Sequence, residues 1–491
     1  MVVTVDGKSL SIEQAIDVAE RGVSVRASAQ SLRQMEKFRA LLEQKLSRGD
    51  VVYGVNTGFG SLSNKIVRPE NLEELQLNLI RSHSAGVGPP LAPEVVRVAM
   101  LIRLNNLLNG NSAARRETAE LFVGMINKGV TPYVPEFGSL GASGDLVPSA
   151  HMALTMVGEG KAYHRGKLSD SAKALAASRL RPITLHAKEG LSLINSTAFT
   201  TGLGCTAVHR TDTLLHAANS ALSVTAEVLG ACSQSFDERL MGVKLDQGQM
   251  QVARQIRGLL KGSRRMRAEP VPQDPYSIRC APQVHGALWD AVGFAEKIVV
   301  NEMNSASDNP VLLEDGSVLH GGNFHAQPVA MVLDLLAISL SYLGVISLSR
   351  IHYLLSKTPP ESKYMAGKPG LESGLMLLEY TATALTSDNA ARIYPASSYP
   401  ANVSGGVEDH ASHGVNAGIK TLKVANNVSR ILAIELICAS NIMGSNESGI
   451  SDHAKKVCGF VRSISPLLSG DRSQGSEVEA LAAESRAGKL P

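Results

Sequence analysis

Apolar residues recur at helical spacing along most of the chain. The segment Pro69–Arg81 opens on proline, places acids at Glu70, Glu73 and Glu74, and spaces its leucines for one helical face. Ala92–Leu108 carries Val95, Val96, Val98, Leu101, Leu104 and Leu107 and stops at Gly110. Longer runs follow: Leu191–Leu229, Ala281–Met303, Ala326–Leu355, Leu371–Asp388 and His410–Met443 each predict a long helix. Strand signals are few. Lys161–Lys167 turns at Arg165-Gly166 and Leu312–Leu319 turns at Asp315-Gly316, and both predict small hairpins. The pattern therefore predicts a mainly α fold. A helical and loop region over 1–188 is followed by a central and C-terminal bundle of long helices over 189–491. Glycine and proline gather in three loops, 53–60, 131–148 and 395–406, where chemistry is to be sought.

Composition narrows the class. Length alone, at 491 residues, would suggest several domains, but the composition argues for something more unified. Hydrophobic residues make up 44% of the chain and supply a large core, while the charged share of 19% points to surface buried between subunits. The net charge of +3 comes without a basic stripe, which argues against nucleic-acid or membrane partners. Cys205, Cys232, Cys280, Cys438 and Cys458 are odd in number and show no CxxC spacing, so neither a zinc site nor a disulfide framework is expected. Asp6 comes too early for a signal peptide. The most apolar stretch, Pro328–Leu348, is interrupted by Asp334 and serines, and reads as a buried helix rather than a membrane span. A soluble, cytoplasmic protein is expected.

The most informative segment is Gly138-Ser-Leu-Gly-Ala-Ser-Gly-Asp-Leu-Val-Pro-Ser-Ala-His151. Its core, Ala142-Ser143-Gly144, is by itself no more than a tight turn of small residues. The whole segment resembles the signature of the aromatic amino-acid ammonia-lyase and aminomutase family. In that family Ala-Ser-Gly cyclises on itself and forms 4-methylidene-imidazol-5-one (MIO), an electrophile that no standard side chain provides. The resemblance explains the residue types. The Gly144 amide nitrogen must reach the Ala142 carbonyl, and Ser143 supplies the hydroxyl that is lost.

Further segments match the family in order. Tyr53-Gly-Val-Asn-Thr-Gly-Phe-Gly60 resembles its YGVNTGFG loop; as a phosphate cradle it lacks the Lys-Ser/Thr of a P-loop and the third glycine of a dinucleotide site. Ser82–Gly88 is similar to the SHAAGVG segment of the histidine-specific branch. Lys188–Asn195 resembles KEGLALxN, although Ser196-Thr-Ala198 stands where the family has GTQ. Gln273–Gln283 and Gly322–His325 resemble two more family segments.

The resemblance implies roles. Tyr53 would remove the substrate's β-proton, which at neutral pH requires neighbours that favour the phenolate, since an isolated phenol titrates near pH 10. Arg279 would pair with the substrate carboxylate through its fork of donors. Asn195, Gln273 and Tyr276 would hold the prosthetic ring and the substrate's polar groups, and Phe324 would pack near MIO. His83, Met376 and Glu408 would select the side chain. A histidine and a carboxylate suit the ring nitrogens of an imidazole, and a phenyl ring would leave both unpaired. The implied reaction is elimination of ammonia from L-histidine to give trans-urocanate, by a homotetramer with shared active sites and with no metal or nucleotide. Residues 398–407 depart from the histidine branch and His413 stands in place of a methionine. A tyrosine or phenylalanine lyase or 2,3-aminomutase is therefore the alternative, and a catalytically silent helical ligand-binding scaffold is the reading of another class. His410 and His413 form an HxxH, read as structural rather than metal-binding. Fumarase-type lyases share a helical architecture but use a GSSxMPxKxN loop that is missing here.

Overall fold

A computed structural model describes residues 2–58 and 64–491. Phe59 and Gly60, at the end of the Tyr53–Gly60 segment, lie outside the described residues. Helix dominates, as the periodicity predicts. The longest helices are Ala198–Leu229, Ala281–Met303, Gln327–Ser356 and Gly414–Met443. Helix Gln327–Ser356 is long and apolar enough to cross a membrane by length and composition, yet 72% of its most apolar window is buried in the protein. Leu72–His83 and Pro93–Leu108 fall where the leucine and valine spacing places them. Both expected hairpins form, with Lys161–His164 pairing Lys167–Asp170 and Val311–Leu312 pairing Val318–Leu319.

Three departures from the pattern have physical causes. The helix expected over Leu191–Leu229 breaks between Ile194 and Ala198. There the Asn195 side chain and the Ser196 carbonyl bond to residues 143, 145 and 309 instead of prolonging the helix. The helix expected from Leu371 begins only at Met376, because Gly374 is left-handed and the Asp471 carboxylate accepts the N–H groups of Ser373 and Gly374. The helix expected from His410 begins at Gly414, after a left-handed His413. Short strands that periodicity does not announce also occur. Val2–Val5 pairs in parallel with Ser24–Ala27, and Val87–Pro90 pairs antiparallel with Pro135–Phe137.

The chain forms two compact units. The first is assembled from 1–209, 295–334 and 395–419, and the second from 210–294, 335–394 and 420–491. Residue 188, where the sequence suggests a boundary, lies inside the first unit. The second unit encloses a buried ion pair. Arg350 donates through Nε and Nη2 to the two oxygens of Glu435 at 2.6 and 2.8 Å, and the hydroxyls of Ser347 and Thr225 donate to the same carboxylate. A buried charge pair is tolerable only with its lone pairs satisfied in this way. The first unit carries all three glycine- and proline-rich loops.

Candidate active site

The turn at 138–145 is shaped by its glycines and tied down at both ends. Gly144 has φ +80°, and a Cβ there would stand 2.6 Å from the Ser196 carbonyl oxygen and 3.2 Å from that of Phe324. Only glycine fits. Downstream, the Asp145 N–H donates to Ser196 O at 2.7 Å. The fully buried Asp145 carboxylate accepts from Thr200 N at 2.7 Å, Thr200 Oγ1 at 2.8 Å and Ser139 Oγ at 3.3 Å. Burial pushes its pKa up to about 6 even though these donors pull it down. Upstream, residues 412–413 clasp the turn. Ser412 N and His413 N donate to the carbonyls of Gly141 and Leu140 at 3.3 and 2.8 Å. These bonds occupy backbone that would otherwise extend the helix starting at Gly414.

The turn forms one wall of a cavity of about 800 Å³, large enough for an amino acid. Ala142, Ser143 and Asn195 line it, and so do Tyr53, His83, Phe324 and Glu408. Ser143 Oγ donates to Glu408 Oε1 at 3.0 Å. Asn195 Nδ2 donates to the Ser143 carbonyl at 2.9 Å, while Asn195 Oδ1 accepts the Asn309 N–H at 2.8 Å. Tyr53 sits on a loop braced by its own polar residues. Gly54 N donates to Thr57 Oγ1 at 2.9 Å and Val52 N donates to Asn56 Oδ1 at 2.7 Å. The Tyr53 ring meets His320 edge-on, with centroids 5.9 Å apart. His83 ends the helix Leu72–His83, with its Nδ1 3.0 Å from Ser82 Oγ. Burial lowers its pKa, opposed by the Leu79 carbonyl and by the charge of Glu408. The imidazole thus stays neutral near pH 7 and able both to donate and to accept.

Several lining residues carry no role that the sequence announces. His325 and His410 stack in the cavity wall, with centroids 5.3 Å apart and planes 11° from parallel. The sequence offers His410 only as half of an HxxH, and His325 only as the end of a motif. His413 is instead buried against Tyr399. Asn309 had no signal beyond a short polar run after a helix. Among the described residues, no group of three or more His, Cys, Asp and Glu is arranged to hold a metal.

Gln273, Tyr276, Arg279 and Met376 belong to the second unit. Gln273 and Arg279 line a cavity of about 300 Å³ there, together with Cys280 and Gln283. Tyr276 is 69% exposed, with the Arg279 guanidinium 4.5 Å from its ring centroid. The Arg279 Nε is buried without a hydrogen-bond partner among the described residues. Met376 is half-buried at the start of its helix.

With this geometry in hand, the comparisons with known proteins are specific. The pattern of the aromatic amino acid lyase family matches residues 10–463. A histidine ammonia-lyase of Caldanaerobacter subterraneus subsp. tengcongensis is 42% identical over 90% of this chain and 88% of its own. The crystal structure of histidine ammonia-lyase from Trypanosoma cruzi superposes with a TM-score of 0.92 at 38% identity, covering 100% of this chain and 94% of that one. Tyrosine aminomutase from Streptomyces globisporus superposes with a TM-score of 0.93 at 34% identity, covering 100% and 98%. From residue 10 to residue 463, then, this chain belongs to the aromatic amino acid lyase family.

Proposed function

We propose that the protein is a histidine ammonia-lyase, converting L-histidine to trans-urocanate and ammonia with an MIO group formed from Ala142, Ser143 and Gly144. The observation that carries this reading is the Ser143 hydroxyl, 3.0 Å from Glu408, on a turn where position 144 admits only glycine. The residues fit the group. Bonding of Gly144 N to the Ala142 carbonyl carbon releases one water, and loss of the Ser143 hydroxyl with its Cα proton releases a second. Glu408 is in place to exchange a proton with that hydroxyl. Once formed, MIO supplies an electrophilic methylidene conjugated to the former Ser143 carbonyl.

The chain's own residues do the rest. Asn195 Nδ2 donates to the Ser143 carbonyl oxygen and steadies negative charge there. His83 and Glu408 face the same cavity and suit the two ring nitrogens of an imidazole. Tyr53 takes the β-proton at its phenol oxygen, and Phe324, which lines the same cavity, packs near MIO. Gln273, Tyr276 and Arg279 serve the cavity of another copy, with the Arg279 fork binding the substrate carboxylate. A homotetramer with shared sites is supported by apolar side chains left exposed in the unit that carries these residues, including Val243, Leu245 and Val271. Met376 completes the selection of the side chain. Five free cysteines suit the cytoplasm. Incubation of the purified protein with histidine, tyrosine and phenylalanine separately tests the reading. Urocanate is expected from histidine at the highest specificity constant; coumarate, cinnamate or a β-amino acid in its place would transfer the protein to another branch of the family.

A further inference from the structure

Behind the cavity wall, the first unit encloses an ion cluster with no assigned role. Lys188 Nζ donates to Asp308 Oδ2 at 3.1 Å, to the Ser112 carbonyl at 2.9 Å and to Ser192 Oγ at 3.2 Å, using all three of its protons. Arg103 Nη2 stands 3.8 Å from the same Asp308 oxygen and donates to the Ser192 carbonyl. The side chains of Arg103 and Asp308 are fully buried and that of Lys188 is 2% exposed. Charges enclosed this way contribute little net stability compared with an apolar core, so a purely structural role explains them poorly.

Their other connection leads to the active site. The free oxygen of Asp308, Oδ1, accepts the Asn309 N–H at 2.8 Å, and that same N–H reaches Asn195 Oδ1 at 2.8 Å. A backbone N–H can only donate, so the amide of Asn195 must turn its oxygen to Asn309 and its nitrogen to the Ser143 carbonyl. We infer that Asp308, anchored by Lys188, is a positioning residue for the prosthetic group, acting through the Asn309 N–H and the Asn195 amide on the Ser143 carbonyl. The inference rests on the proposed function, since the Ser143 carbonyl gains chemical weight only as part of the cyclised ring. Oriented donors on an oxygen that gathers charge act best when they need no reorganisation, and a salt-bridged carboxylate behind the backbone supplies that rigidity.

A double-mutant cycle tests it, with kcat, KM and intact mass measured on the full-length protein. Asn195→Ala is expected to lower kcat by about 10²-fold or more. Asp308→Asn is expected to lower kcat by roughly tenfold with little change in KM, and to leave part of the chains without the loss of two waters. In the Asn195→Ala background, Asp308→Asn should add almost nothing, because its effect passes through that side chain. Losses that multiply, or a folded Asp308→Asn protein with wild-type kcat and complete water loss, would overturn the inference. Where Asp308→Asn fails to fold because Lys188 is left unpaired, Asp308→Asn with Lys188→Met removes that pair, leaves Arg103 on the Ser192 carbonyl, and is read in the same cycle. A wild-type protein that has lost no water would instead overturn the proposed function itself.

Discussion

The Ser143 hydroxyl donates to Glu408 at 3.0 Å across 265 residues of sequence. One carboxylate thus faces both the serine that the proposed cyclisation would dehydrate and the cavity where the proposed substrate would bind. Ser143→Ala keeps the carbon that would become the methylidene but removes the hydroxyl whose loss would create it. Elimination is expected to fall by at least ~10³-fold while size-exclusion chromatography shows an unchanged oligomer. Wild-type turnover by this variant would contradict the assignment.

Gly144→Ala attacks the same turn through the backbone. A side chain at φ +80° costs about 1–2 kcal/mol, and here the added carbon also presses on the Ser196 carbonyl. The variant is expected to melt at a lower temperature and to retain its full sequence mass. A stable, dehydrated Gly144→Ala protein would show that the glycine is not needed for ring closure.

In the proposed reaction, selectivity rests on His83 and Glu408. Removing one hydrogen-bonding partner of a polar substrate group in a desolvated pocket costs about 1–3 kcal/mol, or roughly ten- to a hundredfold in specificity. Glu408→Gln is expected to lower kcat/KM for histidine by that factor, and His83→Phe to raise any residual activity toward phenylalanine. Equal losses with histidine and tyrosine, in a Glu408→Gln protein whose mass shows complete loss of two waters, would place the selection elsewhere, with Ser404 and Val407 of the divergent loop, which also line the cavity, the next residues to change.

Asp145 sets a pH signature. Its carboxyl titrates at about 6 in the folded chain against 3.8 for an ordinary aspartate. A group whose pKa rises on folding contributes stability that is complete below the unfolded value and is lost as pH climbs through the folded one. The wild type should therefore lose stability relative to Asp145→Asn between pH 4 and 7, by up to about 3 kcal/mol. Thermal melts of both proteins at pH 4.5 and 7.5 check this; a difference that is flat or of opposite sign would mean that the hydrogen bonds from Thr200 and Ser139 outweigh burial.

Much of this architecture is legible in the chain. Helix Ala281–Met303 announces itself by the face it buries at a period of 3.6, and Pro93–Leu108 by a nearly continuous apolar run that is buried on all sides. The turn at 138–145 is legible because its small residues stand in the order of the family's signature, the order that the proposed ring closure would demand. What stays hidden is tertiary. Nothing local marks Asn195–Thr197 as a helix break, since the partners that compete for those groups lie at positions 143, 145 and 309. The stack of His325 on His410 and the Lys188–Asp308 pair likewise join residues far apart in sequence, whose types alone say little.

The central claim is that three residues of this chain become an electrophile without outside help. Intact-mass measurement of the purified wild-type protein, with the peptide containing Gly138–His151 isolated after digestion, tests it most directly. A mass lower than that of the sequence by two waters, with the deficit confined to that peptide, is the expected result. A mass equal to that of the unmodified chain would contradict the account.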